Sequence, residues 1–190
     1  TAAGAVWCWG DNDYGQLGDG TGLEKRFAVQ VSSITGATEI KLGSEYSCVR
    51  FVTGQLRCFG RNESGQIGDG TLESRLSPVS VLLTSSPEQV LSDTLQVANS
   101  DRTTCARRGG DILCWGDDNY GELGDGGVEV ARSLPAPVAS LGQASFLAAG
   151  RWSQCAIADG GLWCWGRNNG GTLGDNSLVE RTSPAQVVLP

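Results

Sequence analysis

A chain of 190 residues, 39% of them apolar, is long enough to bury a core of its own. A net charge of −7 argues against a phosphate-neutralising surface, and the absence of histidine removes the usual base for a nucleophilic Ser or Cys. No apolar run reaches the ~20 residues of a membrane helix. The 28 glycines demand many turns, and a start at Thr1 without Met or leader reads as a piece of a longer protein.

In chain order, the first element is Val6-Trp7-Cys8-Trp9-Gly10. It returns as Leu56-Arg57-Cys58-Phe59-Gly60, Ile112-Leu113-Cys114-Trp115-Gly116 and Leu162-Trp163-Cys164-Trp165-Gly166. A turn-rich phrase follows each time, first as Asp11-Asn12-Asp13-Tyr14-Gly15-Gln16-Leu17-Gly18-Asp19-Gly20. Next come short apolar runs bounded by Gly and Pro: Ala28–Val31, Pro78–Val81, Ala136–Ala139 and Pro184–Val187. A further element, Glu39–Gly43, Leu95–Ala98 and Phe146–Gly150, leads into Cys48, Cys105 and Cys155. Helical periodicity is missing throughout. About four short strands per ~50 residues mark propeller blades, with a solenoid as the architectural rival. The expectation is an all-β chain of β-propeller blades. Its complete repeats are 4–53, 54–109 and 110–159 and its partial fourth is 160–190, as part of a seven-bladed ring.

Hairpin arithmetic pairs the cysteines. Asp159-Gly160 favours a two-residue type I′ turn. Counting outward from Ala158 opposite Gly161 places Cys155 opposite Cys164 at a non-hydrogen-bonded pair. The same count around Gly109-Gly110 places Cys105 opposite Cys114. Cys48 and Cys58, one residue further apart, fit a three-residue loop with Gly54 left-handed. Three disulfides imply an oxidising compartment: extracellular, cell-surface or periplasmic. Cys8 is left unpaired, its expected partner lying in a strand before residue 1 or in another chain. Reduced core cysteines are the alternative, and zinc is disfavoured because closely spaced ligand pairs are missing.

The phrase Cys8-Trp9-Gly10-Asp11-Asn12-Asp13-Tyr14-Gly15-Gln16-Leu17-Gly18-Asp19-Gly20 closely resembles the repeat of the regulator-of-chromosome-condensation family. The resemblance covers essentially the whole chain and implies a β-propeller, usually of seven blades. Its cysteine-paired form is similar to copies in secreted and surface proteins of bacteria. There His-Thr-Cys-Ala-Leu is typical, whereas here the segments are Tyr46-Ser47-Cys48, Thr103-Thr104-Cys105 and Ser153-Gln154-Cys155. The family's functions include guanine-nucleotide exchange, chromatin docking, ultraviolet reception and β-lactamase inhibition, and fold alone does not choose among them.

Several residue sets are candidates for function. Asp19, Asp69, Asp125 and Asp175 recur once per unit, as a calcium set would, but they lack a helix–loop–helix spacing and read better as turn acceptors. Trp9, Phe59, Trp115 and Trp165 recur in one slot and read as blade core. Trp7, Trp152 and Trp163 break the repeat and are candidate binding anchors. The second unit is longer through an insertion, Leu83–Gln89, which places Ser85, Ser86 and Glu88 on a candidate recognition loop. No metal, cofactor or catalytic set is expected. The expected function is therefore an extracellular module that binds a protein or glycan, with no nucleic acid and no membrane span. The alternatives are a piece that completes a ring or filament with other chains and, third, a guanine-nucleotide exchange factor.

Overall fold

Each cysteine hairpin folds in the register that its turn imposes. In the computed structural model, which describes residues 1–127 and 131–189, Asp159 and Gly160 both take positive φ, at 49° and 77°. The flanking strands then pair Ala158 with Gly161, Ile157 with Leu162, Ala156 with Trp163 and Cys155 with Cys164. Arg108 opposite Asp111 likewise leads to Cys105 opposite Cys114. Around Val52–Gly54 the three-residue loop has Gly54 at φ 74° and sets Cys48 opposite Cys58. All three pairs are disulfide-bonded with Cα atoms 4.1 Å apart, and Cys8 is free.

Sixteen strands form among the described residues. They are β1 (Trp7–Gly10), β2 (Lys25–Gln30), β3 (Ala37–Leu42), β4 (Tyr46–Phe51), β5 (Leu56–Gly60), β6 (Arg75–Ser80), β7 (Leu82–Ser85) and β8 (Glu88–Val90). The rest are β9 (Thr94–Asn99), β10 (Thr103–Arg108), β11 (Asp111–Gly116), β12 (Arg132–Pro137), β13 (Ala144–Ala149), β14 (Ser153–Ala158), β15 (Gly161–Gly166) and β16 (Arg181–Gln186). Three antiparallel four-stranded sheets, β3-β4-β5-β6, β9-β10-β11-β12 and β13-β14-β15-β16, are the blades, and β1-β2 is a two-stranded sheet. The sheets are out of phase with the sequence units. Each takes its first two strands from one unit and its last two from the next, so the cysteine hairpin spans the unit boundary.

Successive blades pack face to face, and inner strand β9 touches both β3 and β13. The apolar clusters lie between blades: Cys48, Leu56 and Cys58 of one blade meet Val97, Ala106 and Trp115 of the next. The turn-rich phrase wedges into each seam. Gly68, at φ 78°, lies against the Trp115 indole so closely that a Cβ there would stand 2.5 Å from Nε1. Only glycine permits that approach. Trp115 then donates from Nε1 to the Gln66 carbonyl at 3.0 Å, and Trp165 repeats this to Glu122 at 2.9 Å.

A buried asparagine closes three of the four wedges from within. Asn62 accepts the Ile67 N–H on Oδ1 and donates from Nδ2 to Asp69 Oδ1 and the Thr71 and Glu73 carbonyls. Asn12 and Asn168 repeat the arrangement. In the third wedge Asp118 takes this place, its Oδ1 accepting the Leu123 N–H at 2.9 Å.

Two expectations change. Phe59, Trp115 and Trp165 are fully buried, but Trp9 in the same slot is 66% exposed. Among the described residues no wedge glycine packs on Trp9 as Gly18 packs on Phe59. The insertion, expected as a surface loop, is an exposed two-stranded hairpin, β7-β8, turning at Ser86 and a cis Pro87 and lying along β12 of the next blade.

Candidate functional site

The loops at one end of the blades bring the off-repeat residues together. Each inner strand turns into the next through two residues closed by a 2.8 Å backbone hydrogen bond: Gly43 to Tyr46, Ser100 to Thr103 and Gly150 to Ser153. The turns are therefore Ser44-Glu45, Asp101-Arg102 and Arg151-Trp152. The second turn residue always accepts the N–H of the residue that follows the strand-ending glycine. Arg61 donates to Glu45 at 2.8 Å, Asp117 to Arg102 at 3.0 Å and Arg167 to Trp152 at 2.9 Å.

One backbone frame thus holds three chemistries. In the first, Arg61 is ion-paired with Glu45 and Glu63 at 2.5 Å each and stacks on Tyr14 at 4.7 Å. Those carboxylates hold the Arg61 guanidinium firmly protonated. In the third, aromatics replace the carboxylates. Trp152 lies between two guanidinium groups, Arg151 at 4.1 Å and Arg167 at 4.4 Å from its ring centre. Arg167 also covers Tyr120 at 4.7 Å, whose ring is 6.4 Å from the indole and tilted by 60°. The indole donates to Asp101 Oδ2 at 3.3 Å. Among the described residues, neither Arg151 nor Arg167 is ion-paired with a carboxylate, and Arg167 Nε is buried without a hydrogen-bond partner. Cation–π contact fixes the rings without neutralising the charge. The result is a half-buried aromatic platform flanked by two arginines on a chain of net charge −7, suited to a segment that pairs a carboxylate with an apolar or aromatic group.

A buried carboxyl supports this platform from below. Glu122 stands where the neighbouring wedges have Gln16 and Gln66, and it accepts the Tyr120 N–H at 2.7 Å. Burial, with Asp117 and Asp118 adding negative charge, pushes its pKa up to about 7 against its hydrogen bonds.

The other predicted residues lie elsewhere. Trp163 packs on the core and donates to the Ala158 carbonyl at 3.3 Å. Trp7, 46% exposed, sits on β1 beside Cys8, whose thiol pKa burial raises. Ser85, Ser86 and Glu88 are exposed on the β7-β8 hairpin. The structure does not bring these sets together. Sequence reasoning missed Tyr120, Arg151 and Arg167, although Arg151-Trp152 replacing Ser44-Glu45 in register was a usable signal. The repeated aspartates serve the turns: Asp69 Oδ1 accepts the Thr71 N–H and hydroxyl, while Oδ2 pairs with Arg75 at 2.6 Å. Asp175 is held at about 2 by the Ser177 hydroxyl first, with Arg181 and Asn168 adding to it, against the opposing effect of desolvation. Among the described residues no group of three His, Cys, Asp or Glu could hold a metal.

Antiparallel four-stranded blades packed face to face around inner strands define a β-propeller assembly. Within that class, residues 3–50 and 159–190 match the model of the Regulator of chromosome condensation (RCC1) repeat, which supports the RCC1 repeat family as kin. The E3 ubiquitin-protein ligase HERC2 of Homo sapiens is 28% identical over 138 residues, 72% of this chain and 3% of HERC2. Its Mus musculus counterpart matches equally. Among solved structures, human WBSCR16 superposes with a TM-score of 0.81 at 21% identity, over 97% of this chain and 48% of that one. Yeast RCC1 (Prp20), in the structure with Kap60, gives 0.82 at 19% identity, over 98% and 45%. These structural likenesses show the propeller fold.

Proposed function

We propose that this chain is a non-catalytic, extracellular or periplasmic module that docks a protein partner on the loop face centred on Trp152. The observation that carries the reading is the indole held between Arg151 and Arg167, neither of them ion-paired among the described residues. Aromatic and arginine anchors of this kind dominate interface energetics. The fold supports a binding role: yeast RCC1 is seen with Kap60, and Prp20p was studied for binding to Gsp1p and histones. Three disulfides support an oxidising compartment. No described helix is long and apolar enough to cross a membrane.

The test uses a double substitution that the protein itself supplies. Arg151→Ser with Trp152→Glu rebuilds the Ser44-Glu45 turn and offers Arg167 the ion pair that Arg61 already has. Wild type should bind an acidic peptide carrying an aromatic residue, with saturable change of tryptophan fluorescence. A neutral peptide should not bind, and the double variant should lose at least about tenfold in affinity, as for removal of an aromatic anchor. Equal binding by the double variant, or a glycan-array signal in place of peptide binding, would overturn this reading.

A further inference from the structure

The fourth wedge departs from the other three at neighbouring places in the turn-rich phrase. Asp13-Tyr14, Glu63-Ser64 and Asn119-Tyr120 correspond there to Asn169-Gly170, and Gln16, Gln66 and Glu122 correspond to Thr172. In the first three wedges the side chain two residues on engages the backbone amide of the second residue. Tyr14 N–H donates to Gln16 Oε1 at 3.0 Å, Ser64 N–H to Gln66 Oε1 at 3.0 Å and Tyr120 N–H to Glu122 Oε2 at 2.7 Å. Threonine is too short to repeat this, and the Thr172 hydroxyl donates instead to the Arg167 carbonyl at 3.0 Å. Among the described residues the Gly170 N–H and the Asn169 side chain therefore have no hydrogen-bond partner. Asn169 is exposed, and so are Asp13, Glu63 and Asn119, whose wedges are packed by a following blade, so the exposure belongs to the loop itself. Space around Gly170 is open as well: an ideal Cβ there would meet only Thr172 Cγ2, at 3.9 Å.

An exposed asparagine followed by an unhindered glycine with an unengaged amide has the parts of an intramolecular acyl transfer. The Gly170 nitrogen attacks Asn169 Cγ. The new N–Cγ bond closes a five-membered imide while the Cγ–NH2 bond breaks, and ammonia leaves with the proton given up by the Gly170 amide. Water then adds across one of the two imide C–N bonds, leaving aspartate or isoaspartate and a new carboxylate. The other six asparagines each lack a requirement. Asn12, Asn62 and Asn168 are buried with their side-chain amides hydrogen-bonded. Asn119 Nδ2 is held by both Asp117 oxygens, at 2.9 and 2.8 Å. The amides that follow Asn99 and Asn176 are engaged, Ser100 N–H by the Thr103 carbonyl at 2.8 Å and Ser177 N–H by Asp175 Oδ1 at 3.1 Å.

We propose that Asn169-Gly170 is a self-modification site, deamidating to a carboxylate that closes on Arg167. The second wedge shows the end state. Glu63, at the place of Asn169, accepts from Arg61 Nε at 2.9 Å and pairs with Nη2 of the same guanidinium at 2.5 Å. The bond from Asn119 to Asp117 shows that a side chain of asparagine length spans the same two positions. Among the described residues Arg167 Nε is buried without a partner, so a carboxylate at position 169 supplies the bond that Arg61 already has. The consequence for binding rests on the docking reading above: loss of ammonia makes the change one-way, and the added negative charge neutralises one of the two arginines that flank Trp152. The loop face then loses affinity for an acidic partner as the protein ages.

Peptide mapping by mass spectrometry tests the chemistry, after the 190-residue chain is held for days in warm, mildly alkaline buffer made with heavy-oxygen water. Aspartate and isoaspartate should both appear at position 169, each with one heavy oxygen, while the other six asparagines stay intact. Gly170→Tyr with Thr172→Gln copies the first wedge and should remain unmodified over the same period; Gly170→Ala, the milder change, should slow the reaction. Asn169→Asp supplies the product directly. Hydrogen exchange at the Arg167 Nε–H, followed by NMR, should be slower in it than in fresh wild type. Its affinity for the acidic peptide should fall about two- to fivefold, the worth of one partly exposed ion pair. Asn169→Gln should keep the affinity of fresh wild type before and after incubation. An Asn169 that stays intact, modification that begins at another asparagine, or an unchanged Arg167 Nε–H in Asn169→Asp overturns the proposal. Fresh wild type that never binds the peptide overturns the docking reading instead, because the mapping and exchange results do not depend on it.

Discussion

Replacing Glu122 by Gln should stabilise the protein at alkaline pH and flatten its stability between pH 5 and 8. Glu122 is only 1% exposed, and burial raises its pKa from an ordinary 4.5 to about 7. A carboxyl with a raised folded-state pKa holds its proton more tightly folded than unfolded. Its penalty is absent below about pH 4.5, grows as pH rises, and is complete above about 7. At about 1.4 kcal/mol per tenfold change in proton affinity, the full penalty is on the order of 3 kcal/mol. The chain contains no histidine, so the usual source of titration in this window is missing and the slope belongs mainly to Glu122. Glutamine already fits this place: Gln66 Oε1 accepts the Ser64 N–H at 3.0 Å, as Glu122 accepts that of Tyr120. Urea unfolding at pH 5, 6, 7 and 8 is the assay. Wild type should lose stability as pH rises, while Glu122→Gln should stay level and exceed it by up to about 3 kcal/mol at pH 8. A flat wild-type profile, or the same slope in both proteins, would refute the reasoning.

Other substitutions probe the scaffold. Replacing Cys155 and Cys164 by Ser opens a loop with a sequence separation of 9 and should cost about 2–3 kcal/mol in urea unfolding. Thiol titration of the denatured, unreduced protein should find Cys8 alone. Asn62→Ala leaves the Ile67 N–H and the Thr71 and Glu73 carbonyls without their central partner. It should cost on the order of 3 kcal/mol, with calorimetry as readout. Tyr46→Phe removes the bond to the Thr103 carbonyl at 2.8 Å and the acceptor for Thr104 Oγ1 at 3.0 Å. About 1–2 kcal/mol should be lost, again by urea unfolding.

The cysteine pairs were legible because strand alternation leaves no freedom once a turn is placed: Asp159-Gly160 sets everything back to Cys155 opposite Cys164. The phase of the blades was not legible. A periodic sequence reads the same wherever its unit is cut, and only strand pairing shows β4 and β5 in one sheet across Gly54. The exposure of Trp9 was not legible because burial at that slot comes from the glycines of the preceding wedge, as at Phe59, Trp115 and Trp165, rather than from the residue itself. Trp152 stood out as off-repeat, but its setting did not. Tyr120, Arg151 and Arg167 come from three separate segments that meet only when two blades pack.

The internal repeats act as a set of natural substitutions on one backbone. At the turn frame the second residue is Glu45, Arg102 or Trp152, with the same hydrogen bond beneath each. Fold therefore does not depend on the side chain there, and that side chain is free to carry recognition. The wedge differs, since Asn12, Asn62, Gln66 and Asn168 are buried and their amides close bonds that hold the loop in shape. The third wedge nevertheless carries Asp118 and Glu122 in those places, both buried. These two departures sit directly beneath Tyr120, at the one seam whose loop face bears the paired arginines. Burial and the nearby Asp117 and Asp118 disfavour the charged form of Glu122 there, so this wedge holds its proton where its neighbours hold an amide. The least regular wedge and the arginine-flanked indole thus meet at Tyr120, whose N–H is held by Glu122 and whose ring lies under Arg167.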